Sequence, residues 1–254
     1  MKSVWRILCY HEVLPHQVAS FAAQLSALRD AGWTFCSLTD GLTKLSNSHP
    51  GKWITVTFDD GYLTTFEVAM PALLDLRIPA CLFVATDYVR KGWAYRDTPP
   101  RPAMTWDHVR AWRAAGNEVG SHTHTHAPLP LCTPERLREE LLWSKRLLED
   151  ALGEPVVHFA YPWGQHTRGS LSALRTFAGY RTAATIDRGL NARGTQLLRL
   201  YRDVAAPAWS IARLRTVMLL GRMKVLYEFQ KAVRRRNRMP PQAAWEPLGK
   251  QPVA

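Results

Sequence analysis

The chain has few cysteines for its 254 residues, four in all, and no Cys-x-x-Cys. That excludes a disulfide framework and a zinc knuckle. Cys9 and Cys81 sit inside apolar runs, where a cysteine behaves as a small hydrophobe; Cys36 and Cys132 are isolated. No stretch approaches the ~20 apolar residues that a bilayer span needs. The first twelve residues do not read as a signal peptide, because their short apolar run carries Arg6 and then His11-Glu12. The expectation is a cytoplasmic protein. Acidic residues are also scarce: 21 Asp and Glu stand against 33 Lys and Arg, for a net charge of +12. Half of that excess lies in residues 222–254, where eight Lys or Arg face two Glu. The basic balance therefore says little about the folded core, and nucleic-acid binding, supported by this tail alone, is disfavoured.

What is present is ordinary globular material, 46% hydrophobic and 21% charged, and enough chain for one α/β domain of barrel size. The reading divides it into a domain over 1–221 and a basic tail over 222–254. Strand-like runs are expected at Val4–Tyr10, Trp33–Leu38, Trp53–Phe58, Ile78–Thr86, Glu118–Ser121, Val156–Tyr161, Arg181–Ile186 and Leu197–Val204. Helices are expected from about Ser20 to Gly32, from Thr64 to Leu76, after Thr105, from Thr133 to Gly153 and up to Gly179. The segment 87–102, rich in Pro, Gly and aromatics, reads as a long loop. Ala-Gly punctuation recurs between helix and strand at Ala31-Gly32, Ala115-Gly116 and Ala178-Gly179. Such alternation builds a parallel sheet, open or closed.

Two constellations carry chemistry. The first is Thr57-Phe58-Asp59-Asp60-Gly61 at the end of the central strand, where α/β sheets bind ligands. Adjacent carboxylates repel unless a positive group holds at least one of them, and a metal ion is the simplest candidate; a plain Asp-Asp-Gly turn is the alternative. The second is His122-Thr123-His124-Thr125-His126, directly after another strand. Imidazole is the commonest neutral nitrogen ligand for zinc, and one Asp with two His leaves a fourth position for water. A solvated polar loop is the bland alternative.

On these motifs the chain resembles the polysaccharide deacetylases of the NodB-homology family, carbohydrate esterase family four. Thr57–Gly61 matches the family's first motif at all five positions, and His122 to His126 matches its His-(Ser/Thr)-x-x-His. Phe159-Ala160-Tyr161-Pro162-Trp163-Gly164 partly matches the third, an Arg-x-Pro-(Tyr)-Gly stretch. The resemblance spans residues 5–215. It implies a distorted (β/α) barrel of about seven strands and a metal-dependent de-N-acetylase, with Asp59 as general base and Asp60, His122 and His126 as ligands of a divalent metal, for which zinc suits the donors best. His124 falls at a variable position. Tyr161, Pro162, Trp163 and Gly164 would line the substrate and oxyanion side, Trp163 through its backbone N–H.

Two departures stand out. The third motif's Arg is Ala160 here, with Arg199 or Arg202 as possible substitutes or as surface ion pairs. The C-terminal motif bearing the general acid is missing, and no histidine follows His166. A subgroup carries that His in an N-terminal Tyr-His segment, which Tyr10-His11-Glu12 resembles, so His11 is expected as general acid, against a structural role. Trp93, Tyr95 and Trp163 are candidates for stacking on a sugar ring or for plain packing. The expected substrate is an N-acetylated carbohydrate, such as a nucleotide-linked or lipid-linked precursor. Alternatives are an O-acetyl esterase and a non-catalytic carbohydrate-binding relic. The basic tail could rest peripherally on the inner membrane face, each basic residue contributing about 1 kcal/mol, or be a solvated end.

Overall fold

A computed structural model of the chain describes residues 3–95, 97 and 99–220; the expectations for the tail lie outside these residues. In chain order the elements are β1 (Ser3–Tyr10), α1 (Val18–Asp30), β2 (Thr34–Phe35), α2 (Leu38–Ser46), β3 (Gly51–Phe58), α3 (Met70–Asp75) and β4 (Ala80–Val84). Then follow α4 (Thr86–Lys91), β5 (Trp93–Ala94), β6 (Arg101–Pro102), α5 (Trp106–Ala114), β7 (Glu118–Ser121), α6 (Pro134–Leu152), β8 (His158–Ala160), α7 (Arg168–Thr176), β9 (Thr182–Ala184), β10 (Asp203–Val204) and α8 (Ile211–Leu220). The main sheet runs β10-β1-β3-β4-β7-β8-β9, with β2 beside β3, and every pair in it is parallel. A bridge from Ala184 to Leu200 draws its two ends together. The result is a seven-strand parallel half-barrel with helices around it.

The strands are buried on both faces, as a parallel sheet requires. In β1, Trp5 and Ile7 join Cys81, Phe83, Ala184 and Leu200 inside the barrel. Leu8 and Tyr10 alternate outward and pack with Phe21, Leu25, Phe58 and Trp112 under the helices. Helix α2 plugs the amino-terminal end of the barrel through Leu38, Leu42 and Leu45. Its Gly41 lies so close to Trp5 that a Cβ there would meet the indole at 2.3 Å. The Glu118 carboxylate accepts the Leu38 and Thr39 amides at 2.6 and 3.0 Å, complementing the positive end of that helix. One mouth being closed, ligands have access from the carboxyl rim.

Several elements differ from the sequence reading. The strand expected over Trp33–Leu38 shrinks to two residues because Ser37 caps α2, its hydroxyl accepting the Asp40 amide at 3.0 Å. The helix from Thr64 opens as a π turn over Thr65–Ala69 before α3. Pro71 has no N–H to give Glu67, and the widened turn absorbs the loss. The expected loop over 87–102 instead holds most of α4 and the β5–β6 hairpin. The stretch 197–204 supplies a 3₁₀ turn, Leu197–Arg199, and only two strand residues. Among the described residues, no helix is long and apolar enough to cross a membrane.

Candidate metal and hydrolytic site at the carboxyl rim

The site begins where β3 ends. Asp59 and Asp60 are both buried, 2% and 4% exposed, so each carboxylate needs a partner. Asp60 adopts a left-handed backbone, φ 77°, which costs a non-glycine residue roughly 1–2 kcal/mol. The turn brings neighbouring side chains, which would alternate on a strand, onto one patch. Asp60 Oδ1 is buried and finds no hydrogen-bond donor. It lies 3.2 Å from His126 Nε2 and 3.5 Å from His122 Nε2.

These separations are compatible with a shared cation. Bonds of about 2.0–2.2 Å in a tetrahedron place ligand atoms about 3.3–3.6 Å apart. The His122 Nδ1–H donates to the Ala160 carbonyl at 2.8 Å, which leaves the lone pair of the neutral ring on Nε2, facing Asp60. Burial pushes the His122 pKa down to about 4 against the pull of Asp59 and Asp60, so the ring is neutral at neutral pH. The residues therefore fit a divalent cation, and the orphaned Asp60 oxygen is the observation that shows it.

The histidine loop is strained as well. Thr123 and His126 have φ of 68° and 56°. Glu140, on the buried face of α6 and fully inaccessible, braces the loop from outside. Its carboxylate accepts the Thr125 amide at 2.8 Å and the Thr125 hydroxyl at 2.6 Å, and its backbone carbonyl accepts the His124 amide at 3.1 Å. Arg136 neutralises the carboxylate at 2.7 Å. His124 turns away from the site: Nδ1 is 2.8 Å from the Thr86 hydroxyl, and the ring is buried beside Asp87. Sequence reasoning passed over Glu140. Its signal was a lone acid on the face that carries Leu137, Leu141 and Leu148. We expect Glu140→Ala to weaken divalent-metal affinity about 10- to 100-fold, with Glu140→Gln intermediate, in a chelator-competition titration.

Asp59 is gripped by an arginine distant in the chain. Arg202, fully buried, donates Nη1 to Oδ1 at 2.6 Å and Nη2 to Oδ2 at 2.8 Å, a two-pronged pair. Its Nε donates to the Thr185 carbonyl at 2.8 Å. Burial would raise the Asp59 pKa, but Arg202 and His122 outweigh it and hold the carboxyl below its usual value. Of the two arginines weighed against Ala160, Arg202 makes this contact; Arg199 acts electrostatically beside Tyr161 instead. Arg202 adjoins β10, which pairs with β1, itself the neighbour of β3, so strand order places it two strands from Asp59 although 143 residues separate them in the chain.

His11 follows β1 directly and is exposed. A ring nitrogen, Asp59 and Cys9 offer ligand atoms within 4.8 Å of one another. Thr65 donates its hydroxyl to the His11 carbonyl at 2.9 Å. Next door, Arg101 pairs with Glu12, and Met104 N–H donates to the Gly61 carbonyl at 2.9 Å, which fastens the hairpin segment to this rim. On the other side, Trp163 has φ 53°, and its ring centroid is 4.3 Å from that of His126. Gly164, φ 67°, presses on Ile186 so closely that a Cβ would sit 2.4 Å from it. Pro162 is buried in the same 3₁₀ turn. Tyr161 is different: it is fully buried, with its hydroxyl donated to the Leu198 carbonyl at 3.0 Å. Its side chain is packing, and only its backbone borders the rim. Trp93 is 52% exposed, whereas the Tyr95 hydroxyl donates to Asp87 at 2.8 Å.

A pH dependence follows for the metal-free protein. Below about pH 6.5 the unfolded chain protonates His122, while the folded chain keeps it neutral down to about 4. The unfolded state then binds more protons, so stability falls as the pH drops through that window. Burial lowers His124 in the same sense. The melting temperature of the metal-free protein should decline between pH 7 and pH 5, and less steeply in His122→Gln.

The structure is a parallel half-barrel with two His and one Asp converging at its carboxyl rim, beside a second Asp held by an arginine. The comparisons with known proteins place it further. The model of the polysaccharide deacetylase family matches residues 46–183, more than half of the chain, and the chain belongs to that family. The protein YxkH of Bacillus subtilis (strain 168), assigned by name to the polysaccharide deacetylases, is 25% identical over 211 residues, covering 80% of this chain and 72% of its own. A chitooligosaccharide deacetylase of Bradyrhizobium sp. (strain ANU 289) is 30% identical over 124 residues, 47% of this chain and about half (49%) of its own length. Among solved structures, IcaB from Ammonifex degensii has a TM-score of 0.74 at 27% identity, covering 86% of this chain and 97% of its own. Streptococcus pyogenes deacetylase PplD, in complex with acetate, has a TM-score of 0.74 at 25% identity, covering 86% and 99%.

Proposed function

We propose that this chain is a metal-dependent hydrolase that removes an N-acetyl group from an amino sugar in a glycan or glycan precursor, releasing acetate. The observation that carries the reading is the convergence of Asp60, His122 and His126 beside Asp59, whose carboxylate Arg202 holds ionised. The chitooligosaccharide named for the Bradyrhizobium relative and the acetate bound to the S. pyogenes one support it.

Asp60, His122 and His126 would hold the ion, and their oxygen and nitrogen donors suit zinc best, with cobalt or nickel acceptable. When bound, such an ion supplies polarisation of the acetyl carbonyl and a lowered pKa for water. Asp59 takes the proton of the attacking water. Arg202 fills one lone pair on each Asp59 oxygen, which keeps the base ionised and oriented. The backbone N–H of Trp163 is the proposed donor to the developing oxyanion, a role whose loss typically costs about 100-fold or more. His11 delivers a proton to the departing nitrogen, the C–N bond breaks, and acetate and a free amine leave. Trp163, against His126, offers an aromatic wall for the sugar.

The test is acetate release from a panel of N-acetylated sugar nucleotides, lipid-linked sugars and oligosaccharides, before and after chelation and metal add-back. Release that disappears with chelator and returns with zinc supports the reading; a metal-replete protein inert on every class sinks it. An ester leaves more readily than an amide, so His11→Ala should depress amide hydrolysis about 100-fold or more and spare O-acetyl esters. Equal loss on both would remove His11 from the acid role.

A further inference from the structure

Cys9 lies one residue before the Tyr10-His11 pair, and the reaction just described makes no use of it. It ends the inward-facing row of β1 and is fully buried. Its thiol donates to Asp59 Oδ2 at 3.4 Å, and Cys9, His11 and Asp59 present one ligand atom each within 4.8 Å. We propose that these three residues form a second cation site, selective for thiophilic divalent ions such as cadmium or zinc in excess, and that its occupation inhibits the enzyme by capturing the base.

The ligand set shares no residue with Asp60, His122 and His126, and it differs from them in kind: one sulfur, one nitrogen and one oxygen against two nitrogens and one oxygen. Thiolate, imidazole and carboxylate together are a chemically complete three-ligand set for zinc or cadmium. The thiol is within donating distance of the Asp59 carboxylate at 3.4 Å and of the Tyr10 carbonyl at 3.8 Å, and its proton is the one an ion must displace. An incoming ion takes its place, forming the metal–sulfur bond while the proton leaves to solvent. Arg202 uses one lone pair on each Asp59 oxygen, so Oδ2 keeps room for a cation without breaking that pair. Thiolate and carboxylate bring two negative charges, of which Arg202 balances one. The ion has a route in, because His11 is exposed while Cys9 is not. Magnesium and calcium prefer oxygen ligands and have no reason to displace a buried thiol proton.

The inhibitory part rests on the reading of Asp59 as base; the ligand set rests on geometry alone, and the experiment separates them. The full chain, loaded with one equivalent of zinc, is titrated with cadmium while acetate release and the ultraviolet charge-transfer band of a cadmium–thiolate bond are followed together. Band and inhibition should grow in parallel in the wild type. In Cys9→Ser and Cys9→Ala the band should be lost and the inhibiting concentration should rise about tenfold or more, with turnover in the absence of cadmium kept within about twofold. Exchange of cadmium into the Asp60–His122–His126 set gives no such band, since that set holds no sulfur. No band in the wild type, or the same band and inhibition in both variants, overturns the proposal. A Cys9-dependent band with undiminished turnover overturns the inhibitory claim. A protein that hydrolyses no acetylated sugar yet shows the Cys9-dependent band upholds the site and faults the functional reading instead.

Discussion

Asp59→Asn should lower kcat on the order of 10²–10⁴-fold while the protein still takes up one equivalent of metal. The magnitude is that of losing a positioned general base. Metal uptake survives because Asp59 is not a member of the Asp60–His122–His126 set, in which both rings face the orphaned oxygen of Asp60. The substitution has a second consequence, which the assay must separate from the first. It leaves the Arg202 guanidinium fully buried without its counter-charge, and stranding one partner of such a pair costs about 3–5 kcal/mol. Turnover is therefore compared below the unfolding transition of the variant, with metal content measured on the same sample. Wild-type rates from Asp59→Asn would remove the residue from the mechanism. Loss of metal along with rate would make it a ligand rather than a base.

The second large effect concerns that pair directly. Arg202→Met leaves Asp59 as an unpaired buried carboxylate and should cost a similar 3–5 kcal/mol, or roughly 6–20 °C in Tm for a chain of this size. The double variant Asp59→Asn/Arg202→Met removes both charges and should recover much of the loss without recovering activity. Residues in contact are not additive, and the cycle measures the coupling. Arg202→Met also removes the main group that opposes burial at Asp59, so the base titrates at higher pH. A general base works deprotonated, so the acid limb of kcat/KM should move to higher pH in the variant. An unmoved limb with additive stability losses would show that Arg202 neither tunes nor pairs with the base.

The parallel barrel was legible in the sequence because apolar runs such as Ile54–Phe58 and Ala80–Val84, buried on both faces, have no other stable home than a helix-covered parallel sheet. Helix caps were legible where the signal is local, as at Thr105 and Thr133, whose hydroxyls accept the amides three residues on. The segment over 87–102 was not. Its order comes from contacts distant in sequence, the amides of Thr86 and Asp87 bonded to the Thr123 and His124 carbonyls and Arg101 paired with Glu12, and local composition reports none of them. The same holds for the plug helix α2, whose burial depends on the shape of Trp5 and Leu38 across the barrel floor.

By itself the sequence determined the inventory: two carboxylates after one strand, three histidines after another, and no arginine in the segment before Tyr161-Pro162. Only the tertiary structure decided which of these meet. The left-handed turn at Asp60 aims it at His122 and His126, strand order carries Arg202 from residue 202 back to residue 59, and Glu140 holds the histidine loop from outside. Each is a contact between elements far apart in the chain, and such contacts are set by sheet curvature and packing rather than by the spacing of residues along it.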